Sequence, residues 1–533
     1  MKHAALLDAA SAHALAFDWL VAAVAPASDY GDRVFALLEP FAPGQEAQAH
    51  ARASRIAEIA ETIDASKLDA AREAMRGAPD AGAAIARASM GDVLSDPNFL
   101  ELQRLFDAMS RVDALLAGAG VPTLATDAVK TVARTLEMGR SGKFGFYLAD
   151  AFDVTLASAR DRLAQSQAEF DAARGREAAR AAAALGRDEI AGDEFIVMRS
   201  DLPASLPAGV RAVREAPTYV LCALEYDAAT LAALERRDAA GEAVAIAEES
   251  VRAVLSQAVR ARAAELDAAA GAFGEIDVLV AAARFTQHHR CTVAEAAREN
   301  FVAFAGGRFL PLAAELEVEG RAFAPIDVVL HDVAVLTGPN MGGKSVCLRT
   351  CGFIALCAAF GLPVPADRAR VGLFGEIAWL GIGGDDDIGG LLSSFAREVV
   401  RLREILGRDA QRLFILIDEF ARTTTPHEGK ALLVAMLERF SEREACGMAA
   451  THLGGVAEEA GARHFAVRGL RNIPQRPESG DLHAALAALG DSMDYTIAEV
   501  TGGETSRADA IALASLLGLD DALIAKAYEH LTG

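Results

Sequence analysis

The residues best equipped for chemistry lie towards the C-terminal end of the chain. Gly338-Pro339-Asn340-Met341-Gly342-Gly343-Lys344-Ser345 has the form G-x-x-x-x-G-K-[ST]. It follows the apolar run VAVLT and opens the helix-compatible stretch VCLRTCGFIALCAAFG. That strand–loop–helix context is the one in which such a run cradles phosphate. The glycines let backbone N–H groups from Gly338 to Val346, Pro339 excepted, curl around phosphate oxygens, and a helix N-terminus adds the favourable end of its dipole. Lys344 then neutralises β/γ-phosphate charge, and Ser345 holds Mg²⁺. A nucleoside triphosphate, taken here as ATP, is the expected ligand.

A second segment supplies acid. Leu413-Phe414-Ile415-Leu416-Ile417 is an apolar strand candidate ending in Asp418-Glu419. Alone, it is equally well a buried strand capped by surface acids. Beside a phosphate loop, Asp418 is the expected Mg²⁺ ligand and Glu419 the group that polarises the attacking water. A third apolar segment ends in Ala449-Ala450-Thr451-His452. A histidine at a strand end is usually structural. The order phosphate loop, acidic strand end, histidine is nevertheless that of ATP-binding-cassette ATPases, where this histidine senses the γ-phosphate.

The strings TGPNMGGKS, LFILIDEFARTTTPHEG and ATH closely resemble the MutS family of ATPases. Between them, Asp386 to Glu398 resembles that family's signature loop, which in the family reaches the nucleotide on a second subunit. The resemblance makes Ser393 and Ser394 its hydroxyl donors. Leu391 departs from the pattern, which has Gly there. Gly307-Arg308-Phe309-Leu310-Pro311-Leu312 resembles the family's GRHPLL segment without the His, and Phe323-Ala324-Pro325-Ile326-Asp327 resembles FxxND. By that resemblance Phe323 stacks on adenine. The resemblance also implies a dimer, either a homodimer or a heterodimer with a related subunit.

Other departures bear on the client. The stretch from Asp418 to Gly429 carries Ala421 and Thr423 where mismatch sensors have glycines, and Glu428 where they have Asp. This variant looks like the MutS-like ATPases associated with cobalamin-dependent lysine and ornithine aminomutases. No Phe-x-Glu wedge lies near the start of the chain, and helical core segments begin almost at once. A protein client, plausibly such an aminomutase, is therefore the first expectation. The alternative is a DNA-binding paralogue acting in mismatch repair or recombination.

The elements that must position these groups follow from periodicity and composition. The expected fold is a C-terminal α/β P-loop ATPase domain of ABC type, preceded by a mainly helical core and lever domain with a small β insertion. Residues 1–153 read as several helices, and 154–299 as two long proline-free lever helices flanking a β tip at about 189–227. Residues 300–480 alternate short strands with helices in the manner of a parallel sheet. Residues 481–533 resemble the family's C-terminal dimerisation segment.

Composition constrains the partner. The 533 residues carry 52 basic and 75 acidic side chains, a formal charge of -23. Residues 1–330 alone hold 33 basic and 48 acidic side chains. An acidic lever region argues against a broad electrostatic grip on DNA, which needs a basic face. Arg-rich stretches such as RDRLAQ and ARGREAAR could still form a local stripe, against Asp161, Glu169, Asp171 and Glu177 on the same helix. Mixed signs of this kind usually mark a solvated face. Six cysteines show no zinc spacing and are expected as buried reduced thiols. No long uncharged apolar run and no clean signal peptide are present, so a cytoplasmic chain with no membrane contact is expected.

Overall fold

Uninterrupted apolar runs make the central strands. Val333–Thr337, Leu413–Asp418 and Cys446–Ala450 carry no charge before their last residue and are almost wholly buried. That is the pattern of a parallel sheet covered on both faces. In the computed structural model they lie in a six-stranded sheet. Its order is Glu376–Gly381, Leu413–Asp418, Cys446–Ala450, Val333–Thr337, His464–Leu470, Met493–Glu499. The first five strands are parallel and the last is an antiparallel edge. The structure describes residues 1–533 except 5, 142–144, 340–341, 382–393, 471–491, 501–510, 512–513, 516–518 and 533.

Register places the chemistry. Gly381 pairs with Asp418, Asp418 with Ala450, and Ala450 with Leu336. Four adjacent strands therefore end level, at the carboxyl edge where open α/β sheets bind ligands. The helix Lys344–Ala359 lies close against this sheet. A Cβ on Gly352 would come within 2.3 Å of Leu15 Cδ2 and 2.7 Å of Leu416 Cδ1, so only glycine permits that approach. A second, four-stranded sheet runs Glu295–Ala297, Arg368–Gly372, Val302–Gly307, Ile326–Leu330.

The N-terminal segment completes the edge of the larger sheet. Ile377 N donates to Leu6 O at 2.9 Å, and Trp379 N donates to Ser11 Oγ at 2.9 Å. An open strand edge leaves backbone groups unpaired, and this segment satisfies two of them. Asp8 caps the helix Ala9–Ala14 through Ser11 N and receives Arg401 and Arg408 from the helix Ser394–Gly407 and the turn after it.

The chain forms two compact units, and they cut across the expected linear division. One comprises Met1–Gly77, Arg111–Pro122 and Gly271–Gly533; the other comprises Ala78–Ser110 and Thr123–Ala270. The segment 1–153 is thus shared between the two units, because its first residues serve as edge partners of the large sheet.

The second unit holds the two long helices Val154–Ala184 and Ala228–Arg260. Between them lies a three-stranded antiparallel sheet in the order Glu194–Met198, Tyr219–Leu224, Val210–Glu215. Its small core joins Ala178, Ala181 and Ala182 of the first helix to Val197, Val220 and Cys222. The second helical run differs from expectation. It breaks after Arg260, and a new helix occupies Ala263–His289. The local sequence, AVRARAAEL, contains good helix formers and no breaker, and nothing in it explains the break.

All six cysteines are free, and five are buried, with Cys291 partly exposed. Among the described residues no helix is long and apolar enough to cross a membrane.

Candidate phosphate-binding site

The loop leaving Val333–Thr337 turns on glycine. Gly343 caps the following helix with φ +83°, a left-handed conformation in which a Cβ would also stand 3.2 Å from the Tyr495 ring. The base of the loop is fixed by Thr337, whose Oγ1 lies 2.8 Å from His464 Nε2.

Lys344 is the first residue of that helix and is only 5% exposed. Its Nζ donates to Gly338 O at 2.9 Å and Pro339 O at 3.1 Å, and stands 3.9 Å from Glu419 Oε1. Burial lowers the pKa of its ammonium, while Glu419 and Asp418 work in the other direction. An anion at the helix N-terminus would favour the charged form.

Ser345 Oγ donates to Asp418 Oδ1 at 3.0 Å. Burial raises the Asp418 pKa, the Ser345 hydrogen bond lowers it, and the neighbouring Glu419 charge raises it. A hydroxyl and a half-buried carboxylate side by side form a hard-oxygen pair suited to Mg²⁺, which usually takes one or two carboxylates together with substrate phosphate oxygens. Among the described residues no cluster of three or more His, Cys, Asp or Glu side chains is arranged as a self-sufficient metal site. Ser345 and Asp418 are thus the residues that would hold the ion jointly with phosphate.

Glu419 begins an unusual loop. It has φ +52° and Ala421 has φ +61°, both without the freedom of glycine. Left-handed conformations cost non-glycine residues about 1–2 kcal/mol each. Long-range hydrogen bonds offset that strain. Glu419 N donates to Ala450 O at 3.0 Å, and Ala421 N donates to Glu398 Oε2 at 2.7 Å. The Glu419 carboxylate itself is paired with Arg422 at 3.2 Å.

The remaining expected residues are placed less centrally. His452 follows Cys446–Ala450 directly and is exposed, while the adjacent Thr451 is buried. Among the described residues no hydrogen bond joins His452 to Lys344, Asp418 or Glu419. Phe323 is half-buried in the connection before Ile326–Leu330. Gly342 and Val346 flank the turn and the first helical residues, with Gly342 N donating to Pro339 O at 3.0 Å. Asn340, Met341, Leu391 and Ser393 lie outside the described residues, and Ser394 is placed only as the start of its helix.

Site residues that local spacing did not single out are Glu398, Arg422 and His464. Glu398 stands inside the signature string, and Arg422 inside DEFARTT, so their segments were legible. Their contacts were not.

A parallel sheet with a glycine-turned loop, a buried lysine at a helix start and a Ser–Asp pair at the next strand end defines a P-loop nucleotide-binding domain. Residues 334–533 match the family model described as MutS domain V. This part of the chain is similar to the ATPase domain of the MutS family. It is 30% identical over 288 residues to an endonuclease MutS2 of Pelotomaculum thermopropionicum, covering 53% of this chain and 34% of the relative. It is also 30% identical over 321 residues to a DNA mismatch repair protein MutS of Dinoroseobacter shibae, covering 58% of this chain and 34% of the relative. An endonuclease MutS2 of Streptococcus pneumoniae is 34% identical over 202 residues, covering 37% and 25%. The chain thus spans about a third of the length of the first two relatives.

Proposed function

We propose that this protein is an ATP-hydrolysing conformational switch. The observation that carries the proposal is the Ser345–Asp418 hydrogen bond beside the buried Lys344. In this reading the 338–346 backbone and Lys344 bind the β- and γ-phosphates. Mg²⁺, when bound by Ser345 and Asp418, supplies neutralisation of charge on the phosphate oxygens. Glu419 orients the attacking water and accepts its proton. His452 stands at the neighbouring strand end as γ-phosphate sensor, and Phe323 stacks on adenine. Catalysis of this type is mainly positioning and electrostatics. Release of phosphate from ATP by the full chain, measured with and without Mg²⁺, tests it. No Mg²⁺-dependent release would sink the assignment.

For the partner, a protein client is the first reading, with an aminomutase the candidate suggested by the DEFARTT loop. It is supported by charge. Arg160 is paired with Asp150 at 2.6 Å and Glu248 at 2.8 Å, Arg174 with Asp193 at 2.6 Å, and Arg180 with Glu177 at 3.2 Å. Arginines already engaged by carboxylates make a poor phosphate stripe. The second reading is DNA, favoured by the similarity to proteins described as mismatch repair MutS and endonuclease MutS2. A dimer completing its nucleotide sites through the 386–398 loop is common to both. Gel shifts on mismatched and branched DNA across a salt series decide between them. Tight binding with a steep salt slope would overturn the protein-client reading.

A further inference from the structure

The helix Ser394–Gly407 buries a carboxylate that the scheme above does not use. Glu398 is 7% exposed, and its Oε2 accepts the backbone N–H of Ala421 at 2.7 Å. Its other oxygen, Oε1, is buried with no hydrogen-bond partner. A buried acid this poorly satisfied is costly to keep, so the one bond it makes calls for a reason. Ala421 lies two residues beyond Glu419, and both are held at positive φ around the buried Phe420.

The direction of the Glu419 side chain follows from its backbone torsions. Those torsions are held on one side by Glu419 N bonded to Ala450 O, and on the other by Ala421 N bonded to Glu398. Phe395, one turn earlier on the same helix, meets the Phe420 ring at 6.4 Å between centroids. One helix therefore holds the loop by a ring contact and a carboxyl oxygen that accepts from Ala421 N. Further along, Arg401 ties it to Asp8 and Ser11, so the helix is itself anchored.

We propose that Glu398 is a positioning residue for ATP hydrolysis: by holding Ala421 N it keeps the loop in the left-handed conformation that aims the Glu419 carboxylate. This rests on the ATPase reading. Glu398 does not touch nucleotide or water; it acts through the backbone of 419–421. Because Ala421 lacks the freedom of glycine, the loop depends on that bond.

The test uses the full chain and four variants: Glu398→Ala, Glu398→Gln, Ala421→Gly, and Glu398→Ala combined with Ala421→Gly. The readouts are steady-state ATP turnover, affinity for a fluorescent ATP analogue, and melting temperature. Misaiming a catalytic group by about 1 Å can cost ~100-fold, so Glu398→Ala is expected to lower kcat by roughly 10–100-fold. Affinity should change by less than about threefold, because the phosphate-contacting groups of the loop are untouched. Glu398→Gln keeps an acceptor oxygen and should recover most of kcat. In the double variant, glycine reaches positive φ without help, and part of the loss should return. Unaltered kcat in Glu398→Ala overturns the inference. So does a parallel loss of turnover, affinity and melting temperature that neither Gln nor the glycine restores, since that describes a structural residue. If the unmodified chain hydrolyses no ATP, the ATPase reading falls and takes this inference with it. An active parent with an equally active Glu398→Ala variant sinks the inference alone.

Discussion

Ser345 and Asp418 lie 73 residues apart in the chain and meet through a 3.0 Å hydrogen bond from Oγ to Oδ1. One opens a helix and the other closes a neighbouring strand, so the bond marks where two ligands of a single cation would converge. Ser345→Ala is expected to leave nucleotide binding largely intact and to remove most Mg²⁺-dependent turnover. A titration of turnover against Mg²⁺ checks this. An unchanged Mg²⁺ dependence would reassign the ion.

Lys344 should behave differently. It is buried among loop carbonyls with its charge poorly compensated, so phosphate is its natural partner. Lys344→Ala is expected to abolish binding of a fluorescent ATP analogue. Retained binding in this variant would argue that phosphate sits elsewhere.

Glu419→Gln separates binding from hydrolysis. The amide keeps the shape of the side chain but cannot accept the proton, and general-base groups contribute roughly 10²–10⁴-fold. Single-turnover measurements should show ATP bound and hydrolysed at least about 100-fold more slowly. Normal turnover would remove Glu419 from the role.

Asp277 tests stability apart from the site. It is fully buried and accepts from Ala27 N at 3.0 Å, Ser28 N at 2.7 Å and Ser28 Oγ at 2.6 Å. Asp277→Ala would strand those donors, and buried unsatisfied groups cost about 1–3 kcal/mol each. A loss of about 3 kcal/mol in urea unfolding is expected, with little change in nucleotide affinity. A loss below ~0.5 kcal/mol would mean that water or backbone shifts replace the carboxylate, in the range of ordinary surface substitutions.

His289 gives a pH signature. Burial, then the neighbouring His288, Arg308 and Arg284 charges, push its imidazole down from 6.5 to about 4. The unfolded chain therefore binds the proton more readily between those values. Stability from this group is fully present above pH 6.5 and is lost as pH falls towards about 4. Comparing the parent with His289→Gln in urea unfolding at several pH values should show a shallower slope for the variant in that window. Identical slopes would leave the effect to other groups.

The phosphate loop, the acidic strand end and the alternation of short strands with helices were all legible from the chain alone. Each is a local pattern: a glycine spacing before a helix, an apolar run ending in carboxylates, a period set by backbone geometry. The long proline-free helices and the β strands between them were legible for the same reason. What the sequence left open depends on distance. Ser11 reaches Trp379 across 368 residues, and the N-terminal segment joins the large sheet because that strand edge must be satisfied. No local pattern announces that. Glu398 meets Ala421, 23 residues away, only because one helix packs over the loop that follows a neighbouring strand. Arg160 and Arg174 read as part of a possible phosphate stripe until Asp150, Glu248 and Asp193 are seen beside them. Sequence determined which residue types could bind and cleave a nucleotide. Tertiary structure decided which acids are engaged, which loop is strained and what holds it, because buried polar groups must find partners wherever the fold brings them.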